Sequence, residues 1–346
     1  MAGVSTSRPA ARLEDVAKLA GVSAKTVSNV VNDYVHVRPA TRAKVQDAIA
    51  LLGYRPNVVA RNLKNGRSGV IALAVPELDA PYFAELAHHV VQAAMDRGWT
   101  VLVDETGQIQ DRAVRARERS VVAGIREHLI DGVILNPLAL DDADVERYGS
   151  VPLVLLGERL GSQLADHVAI DNEAAAAAAT RHLIGTGRRR IAVVGAQPPP
   201  FGHSARLRLR GYRDALVEAG IRYDPALVVP VLDWRRQPGY DAVATLLALP
   251  EPPDAVFCFN DLLALGVLRG LADAGLRVPE DVAVAGFDDI EESRFSVPSL
   301  TTVAPDKRAI ARHAVEHLAR RLEPGTWTPE EVRVGWTLEV RGSTGG

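Results

Sequence analysis

Residues 14–32 read EDVAKLAGVSAKTVSNVVN, and the side chains there that could do chemistry are Lys25 and Asn29, beside the small Ala24. With Val27, Val30 and Val31 turned inward at helical spacing, these three face outward. An ammonium and a carboxamide on one helix face can hydrogen-bond the donor and acceptor pattern of base edges in a major groove. Catalytic chemistry has less to work with. The chain contains no GxxxxGK[ST] phosphate loop, no GxGxxG after a strand, no GxSxG elbow and no HExxH, so no nucleophile or metal stands with a partner at workable spacing. His313 and His317 are four residues apart and could share a helix face toward zinc, but no third ligand is near, which leaves a surface or interface pair. No metal and no cofactor is expected.

The elements that must position these residues follow from apolar spacing. Leu13, Val16, Ala17, Leu19 and Ala20 predict a helix ended by Gly21, and Ser23 can cap the next. In such a helix-turn-helix the first helix braces the DNA backbone and the second enters the major groove. Val45, Ile49, Leu51 and Leu52, after Thr41 as a cap and before Gly53, predict a third helix that closes a small core. YRPNVVARNLKNGRSG then reads as a linker with one short helix starting at Pro56 and Asn57. About two turns of helix are unstable alone in water, so its order depends on a partner. Residues 1–11 carry no pattern and are expected to fray.

From Val70 the pattern changes to short apolar strands alternating with helical stretches. VIALAV, TVLVD, GVILN and PLVLL alternate with helices over 82–97, 113–129 and 142–148. The pattern restarts at HVAID and continues through RIAVVG, LVVPV, AVFCF and DVAVAGF, with helices over the alanine run 174–179, after Ser204, near Val243 and from Leu262. This alternation predicts two doubly wound units with parallel sheets.

Charge divides at the same place. Up to Arg67 there are 11 Lys and Arg against 4 Asp and Glu, a net +7, whereas the remainder holds 29 against 39, a net −10. A basic head on an acidic body points to nucleic acid for the head and a different partner for the body. A composition of 47% hydrophobic and 24% charged residues excludes a disordered or fibrous chain. No apolar run approaches the ~18 residues of a membrane helix, and MAGVSTSRPAAR lacks the apolar stretch of a secretory signal. A cytoplasmic location without a membrane partner is therefore expected. Cys258, inside AVFCF, is expected as a buried reduced thiol.

The segment Glu14–Leu63, through DVAKLAGVSAKTVSNVVN, TRAKVQDAI, LGYRPN and ARNLK, resembles the head of the LacI/GalR family of transcriptional regulators. Beyond it, IALAVPELDAPYFAEL, RLRGYRDAL, FCFNDLLALGVLRGL, VAVAGFDDIEESRF and PSLTTV are similar, in the same order, to that family's periplasmic-binding-protein-like core. The resemblance covers the whole chain. It implies an all-α helix-turn-helix head at 12–56, a hinge helix and linker at 57–68, and a type I α/β core at 69–341. The core would hold two doubly wound parallel-sheet subdomains, the first from about 69–168 with 301–325 and the second from about 169–298 with 328–341.

For DNA the resemblance implies Ser23, Ala24, Lys25, Thr26, Ser28 and Asn29 around the recognition helix, His36 in the following loop, and Asn57, Arg61, Leu63 and Lys64 in the hinge. Leu63 matches the hinge leucine. An apolar wedge between base steps of the minor groove kinks the duplex, and contacts along the bent DNA offset the unstacking. Arg61 and Lys64 would hold phosphates or line the groove.

Ligand crevices in doubly wound folds lie at the carboxyl ends of the strands, and two such units would face each other across one. The resemblance implies that Tyr82, Phe83, Ser204, Arg208, Trp234, Asn260 and Asp288 contact a small-molecule effector there. The planar fork of Arg208 suits paired hydroxyls or a carboxylate. Trp234 offers a ring to the apolar face of a sugar, and Asn260 and Asp288 offer polar groups to its hydroxyls. Arg206 and Arg210 compete for the inward position, and the matching register selects Arg208. The loop AQPPPFGH departs from the family pattern, so the effector's identity does not carry over. The resulting reading is a homodimeric repressor on a pseudo-palindromic duplex operator, with a carbohydrate as the expected class of effector. A cytoplasmic carbohydrate-processing enzyme with a DNA-binding head is the alternative. VRVGWTLEVRGSTGG carries no leucine heptad after the last strand, so a tetramerising tail of the kind known in the family is not expected.

Overall fold

Val16, Val27, Val30 and Val45 come from three different helices and are almost wholly buried, so a few aliphatic side chains make the core of the N-terminal unit. The helices are α1 (Leu13–Ala20), α2 (Ala24–Val31) and α3 (Pro39–Leu52). Gly21 ends α1 at φ 66°, a left-handed conformation that glycine reaches without a Cβ clash. Ser23 caps α2, its Oγ accepting the Thr26 amide at 3.1 Å. The third helix starts earlier than expected. Pro39, whose ring presets a helical φ, takes the first position, so Thr41 lies inside the helix and does not cap it.

The computed structural model describes residues 11–31, 34, 36–54, 67–108, 111–126, 129–148, 151–157, 164–197 and 202–345. The hinge residues Asn57, Arg61, Leu63 and Lys64 and the prolines 198–200 lie outside the described residues. The chain forms two compact units that meet at Ser68 and Gly69.

The second unit holds two six-stranded sheets. Its first part runs β1 (Val70–Val75), α4 (Pro81–Met95), β2 (Thr100–Glu105), α5 (Val114–Arg126), β3 (Gly132–Leu135), α6 (Asp142–Tyr148), β4 (Leu153–Leu156) and β5 (Asp166–Ile170). Then follow α7 (Asn172–Gly185), β6 (Ile191–Ala196), α8 (His203–Glu218), β7 (Val228–Pro230), α9 (Arg236–Leu247), β8 (Ala255–Cys258), α10 (Asp261–Asp273), β9 (Ala283–Phe287) and α11 (Glu291–Phe295). The last elements are β10 (Thr301–Pro305), α12 (Lys307–Leu322), β11 (Glu331–Val334) and β12 (Trp336–Glu339). The first sheet is ordered β11-β5-β4-β3-β1-β2 and is wholly parallel. The second is ordered β12-β10-β9-β8-β6-β7, with β12 antiparallel to β10.

This topology moves two expected boundaries. Thr301–Pro305, expected in the first subdomain, pairs with β9 in the second sheet, where the Thr302 hydroxyl donates to the buried Asp261 at 2.6 Å. Glu331–Val334, expected in the second subdomain, pairs in parallel with β5 of the first sheet. The chain therefore crosses between subdomains after β5, after β10 and after β11. The core also runs beyond 341, because Ser343 and Thr344 are buried and the Ser343 hydroxyl donates to Val284 O at 2.6 Å.

Small residues set the spacing of helices beside the cleft. Ala175, Ala176 and Ala179 of the alanine run are fully buried, and a Cβ on Gly211 of α8 would lie 2.0 Å from the Glu173 carbonyl of α7. Only a thin face on each helix allows this approach, and Arg208, one turn before Gly211, looks the same way. Cys258 is buried, as its apolar neighbours imply. His317 departs from expectation: it is 3% exposed, with Nδ1 3.7 Å from Asp166, so it is not part of a surface pair.

Candidate functional site

The carboxyl ends of strands from both sheets open into one cavity of about 210 Å³, and Tyr82, Phe83, Ser204, Arg208, Trp234, Asn260 and Asp288 all line it. Tyr82 and Phe83 occupy the first turn of α4 with their rings edge to face at 5.2 Å. Ser204 lies in the first turn of α8. Of the three competing arginines, Arg208 is the buried one. Arg206 instead meets His203 at 2.9 Å, and Arg210 pairs with Glu173 at 3.1 Å.

Arg208 is held on every side. Its Nε donates to Asn172 Oδ1 at 2.6 Å, Nη1 to the Phe259 carbonyl, and Nη2 lies 4.0 Å from the Asp288 carboxylate. Its guanidinium carbon sits 3.4 Å from the Phe287 ring centre and 5.2 Å from that of Trp234. Arginine suits such stacking because its plane is delocalised and weakly hydrated. Trp234 is itself anchored, its indole donating to Gly195 O at 3.0 Å. A Cβ at Gly195 would meet that of Phe259 at 2.6 Å, so no larger residue fits there. Asn260 has structural duties as well, since it caps α10 through Leu263 N at 2.9 Å and donates to Trp234 O at 3.0 Å.

Asp288 follows β9 at φ 115° and Asp289 stands at φ 45°. Non-glycine residues in such regions cost on the order of 1–3 kcal/mol each and cluster at ligand clamps. Burial raises the Asp288 carboxyl to about 6, against the opposing pull of Arg208 and Lys307. Behind it Asp261 is raised to about 8, by burial first and then by the Asp288 charge. Asp261 ties the segment down, accepting from Ser293 Oγ at 2.7 Å and Ile290 N at 3.1 Å.

Sequence reasoning missed Asn136 and Asn172, which line the same cavity. Each stands at the carboxyl end of an apolar strand, GVILN and HVAID, so the strand-end rule could have selected them. It also missed the ion pairs across the cleft. Arg235 of the second subdomain meets Glu77 at 2.6 Å and Asp79 at 2.8 Å from the loop after β1. Hydrogen bonding to Arg235 holds the Asp79 carboxyl below its usual range.

In the N-terminal unit, Val27 and Val30 fill the core while Ser23, Ala24 and Lys25 are exposed and Thr26, Ser28 and Asn29 are half-buried. His36 is exposed, with its ring edge to face with Tyr34 at 5.4 Å. Arg42 steadies that loop by donating to Tyr34 O at 2.9 Å.

No helix among the described residues is long and apolar enough to cross a membrane, and no group of described side chains could hold a metal ion. Residues 12–57 match the family described as bacterial regulatory proteins, lacI family, and residues 180–344 match the periplasmic binding protein-like domain. The ribose operon repressor of Escherichia coli K12 is 33% identical, over 96% of this chain and 99% of its own length. The HTH-type transcriptional repressor CytR of the same strain is 33% identical, over 97% and 96%. Among solved structures, the lac repressor dimer bound to operator and the anti-inducer ONPF matches with a TM-score of 0.85 at 29% identity, covering 96% of this chain and 99% of that one. The complex of the transcriptional regulator CelR with cellobiose matches with a TM-score of 0.71 at 36% identity, covering 97% and 100%. These relatives are regulators, and the enzyme alternative finds no support among them. A helix-turn-helix unit, a two-sheet core with its cleft and whole-length similarity to repressors lead to one assignment: the chain belongs to the LacI family of bacterial regulatory proteins.

Proposed function

We propose that this protein is a cytoplasmic homodimeric repressor that binds a pseudo-palindromic operator through α2 and releases or tightens it when a small polar effector occupies the cleft. The observation that carries the effector reading is the convergence of Arg208, Asp288 and Asn172 with the rings of Tyr82, Phe83 and Trp234 around one cavity. Fixed polar groups among apolar walls are what a small-ligand site requires. Aromatic faces beside a guanidinium fork and a carboxylate suit a hydroxylated ring, so a carbohydrate is the favoured class. Ser23, Ala24, Lys25, Thr26, Ser28, Asn29 and His36 form the proposed DNA-facing set, with Asn57, Arg61, Leu63 and Lys64 completing it from the hinge. Base contacts by Lys25 and Asn29 would specify, and phosphate contacts would position.

A two-fold operator needs two heads, and the second unit offers surface for a second copy. Phe295 and Val297 are 75% and 95% exposed, and Leu102 and Val103 lie open on the edge strand β2. The test begins with a thermal-shift screen of mono- and disaccharides, since a ligand of the folded state raises the melting temperature. Gel shift against duplexes selected from a random pool follows, with and without the compound that shifts. Failure of every sugar to stabilise the protein, together with no selected duplex, would remove the proposal.

A further inference from the structure

The turn that brings Asp288 to the cleft is held by a side chain outside the cleft lining. Asp288 and Asp289 both stand at positive φ, a backbone that persists only where its surroundings hold it. Lys307, the first residue of α12, is 10% exposed, and its Nζ donates to the carbonyl oxygens of Asp288 at 2.8 Å and Asp289 at 2.9 Å. An ammonium has three donors, and Glu85 Oε2 takes the remaining direction at 2.5 Å. Glu85 lies on α4, within a turn of Tyr82 and Phe83, and its Oε1 accepts the Glu291 amide at 3.2 Å, just beyond the turn. The Tyr82 ring centre is 5.9 Å from the same Nζ.

Other groups also grip this turn. Arg341 and Arg294 bind the Asp289 carboxylate at 2.6 and 3.1 Å, and Val303 O accepts the Asp288 amide at 2.8 Å. Those partners belong to the second subdomain, whereas the Lys307–Glu85 contact reaches the helix that carries the first subdomain's wall of the cleft. One ammonium thus joins Asp288 on one wall to Tyr82 and Phe83 on the other.

We propose that Lys307 is a positioning residue for the effector: its ammonium, seated on Glu85, sets the Asp288–Asp289 turn against α4 so that both walls of the cleft are placed together. The inference rests on reading this cleft as the effector site. Hydrogen exchange of the full-length protein, with neither sugar nor DNA present, tests it separately from that reading. Two variants are needed. Lys307→Met removes the ammonium, and Glu85→Gln keeps an acceptor for the Glu291 amide while removing the charge that faces Lys307. Both are expected to speed exchange over residues 286–290, which have no direct bond to Glu85, by at least about tenfold, with β6 and β8 unchanged. Glu85 reaches the two aspartates through Lys307, so a lysine that merely fills space would leave Glu85→Gln at the wild-type rate. That result overturns the proposal, and so does wild-type exchange in Lys307→Met. If Lys307→Met does not fold, the near-isosteric Glu85→Gln decides the question alone. A sugar screen without a hit would count against the effector reading and leave the exchange result standing.

Discussion

Lys25 on α2 and Arg208 in the cleft are both cations that we propose serve recognition, yet their surroundings differ in kind. Lys25 is exposed on a helix whose other face is pinned by two valines, whereas Arg208 is buried with a carboxamide, a carbonyl, a carboxylate and two rings around it. A side chain waiting for DNA gains most of its partners on binding and remains screened by salt until then. A buried side chain is oriented beforehand, which cuts the ordering cost of binding a small ligand. The first arrangement favours adaptable readout, and the second favours a fixed shape.

Cutting the chain between Ser68 and Gly69 separates the two kinds of site and should have the largest effect. The 69–346 fragment is expected to lose operator binding altogether in a gel shift and to keep the thermal response to the sugar that shifts the whole protein. Arg208→Ala comes next. It removes the guanidinium fork offered to the effector, and a buried ligand oxygen left without that partner costs about 1–3 kcal/mol, or roughly ten- to a hundredfold in effector affinity by calorimetry. Operator affinity without effector should stay within about twofold. Lys25→Ala should cost a similar ~1–3 kcal/mol, but only at the operator position it reads, so selection from a random pool would show relaxed preference there.

Acidification sharpens the contrast further. Asp288 titrates near 6 in the folded protein, above its unfolded value of 3.8. Between those two values the folded state holds the extra proton, so this group's contribution to stability rises as the pH falls toward 4. Binding of a hydroxylated effector should move the other way, weakening below about pH 6 by at most about tenfold per pH unit as the acceptor carboxylate is lost. Melting and calorimetry across pH 5–8 would separate the two trends. The smallest effect is expected at Asp79→Asn, because Asp79 is largely exposed, Arg235 keeps its pair with Glu77, and such surface pairs contribute about 0–1 kcal/mol. A change of a few-fold in effector affinity that vanishes in high salt would fit.

Much of this organisation is legible in the sequence. Gly21 and Ser23 mark the helix-turn-helix, and the strands from VIALAV to DVAVAGF announce themselves by their apolar runs. What periodicity cannot carry is which sheet a strand joins. TTVAP and EVRV are short and polar enough to suit either, and the hydroxyl of Thr302 on Asp261, together with the pairing of β11 to β5, decides it through residues distant in the chain. The cleft shows the same division. Arg208 stands out among RLRLR only by register with relatives, while Asn172, hidden at the start of an alanine-rich helix, becomes visible once Arg208 Nε is seen donating to it. Lys307 reads as an ordinary helix-start lysine until its three partners are known.

The central claim is that the exposed head reads DNA while the buried cleft sets the response, through separate side chains. Fluorescence anisotropy with a duplex selected by the wild-type protein, titrated with and without the sugar found by thermal shift, tests it most directly when Arg208→Ala is run beside the wild type. The account predicts equal operator affinity for the two proteins without sugar, and a change of about tenfold or more on adding sugar in the wild type alone. An Arg208→Ala protein that responds to the sugar as the wild type does, or one that loses operator binding before any sugar is added, would contradict it.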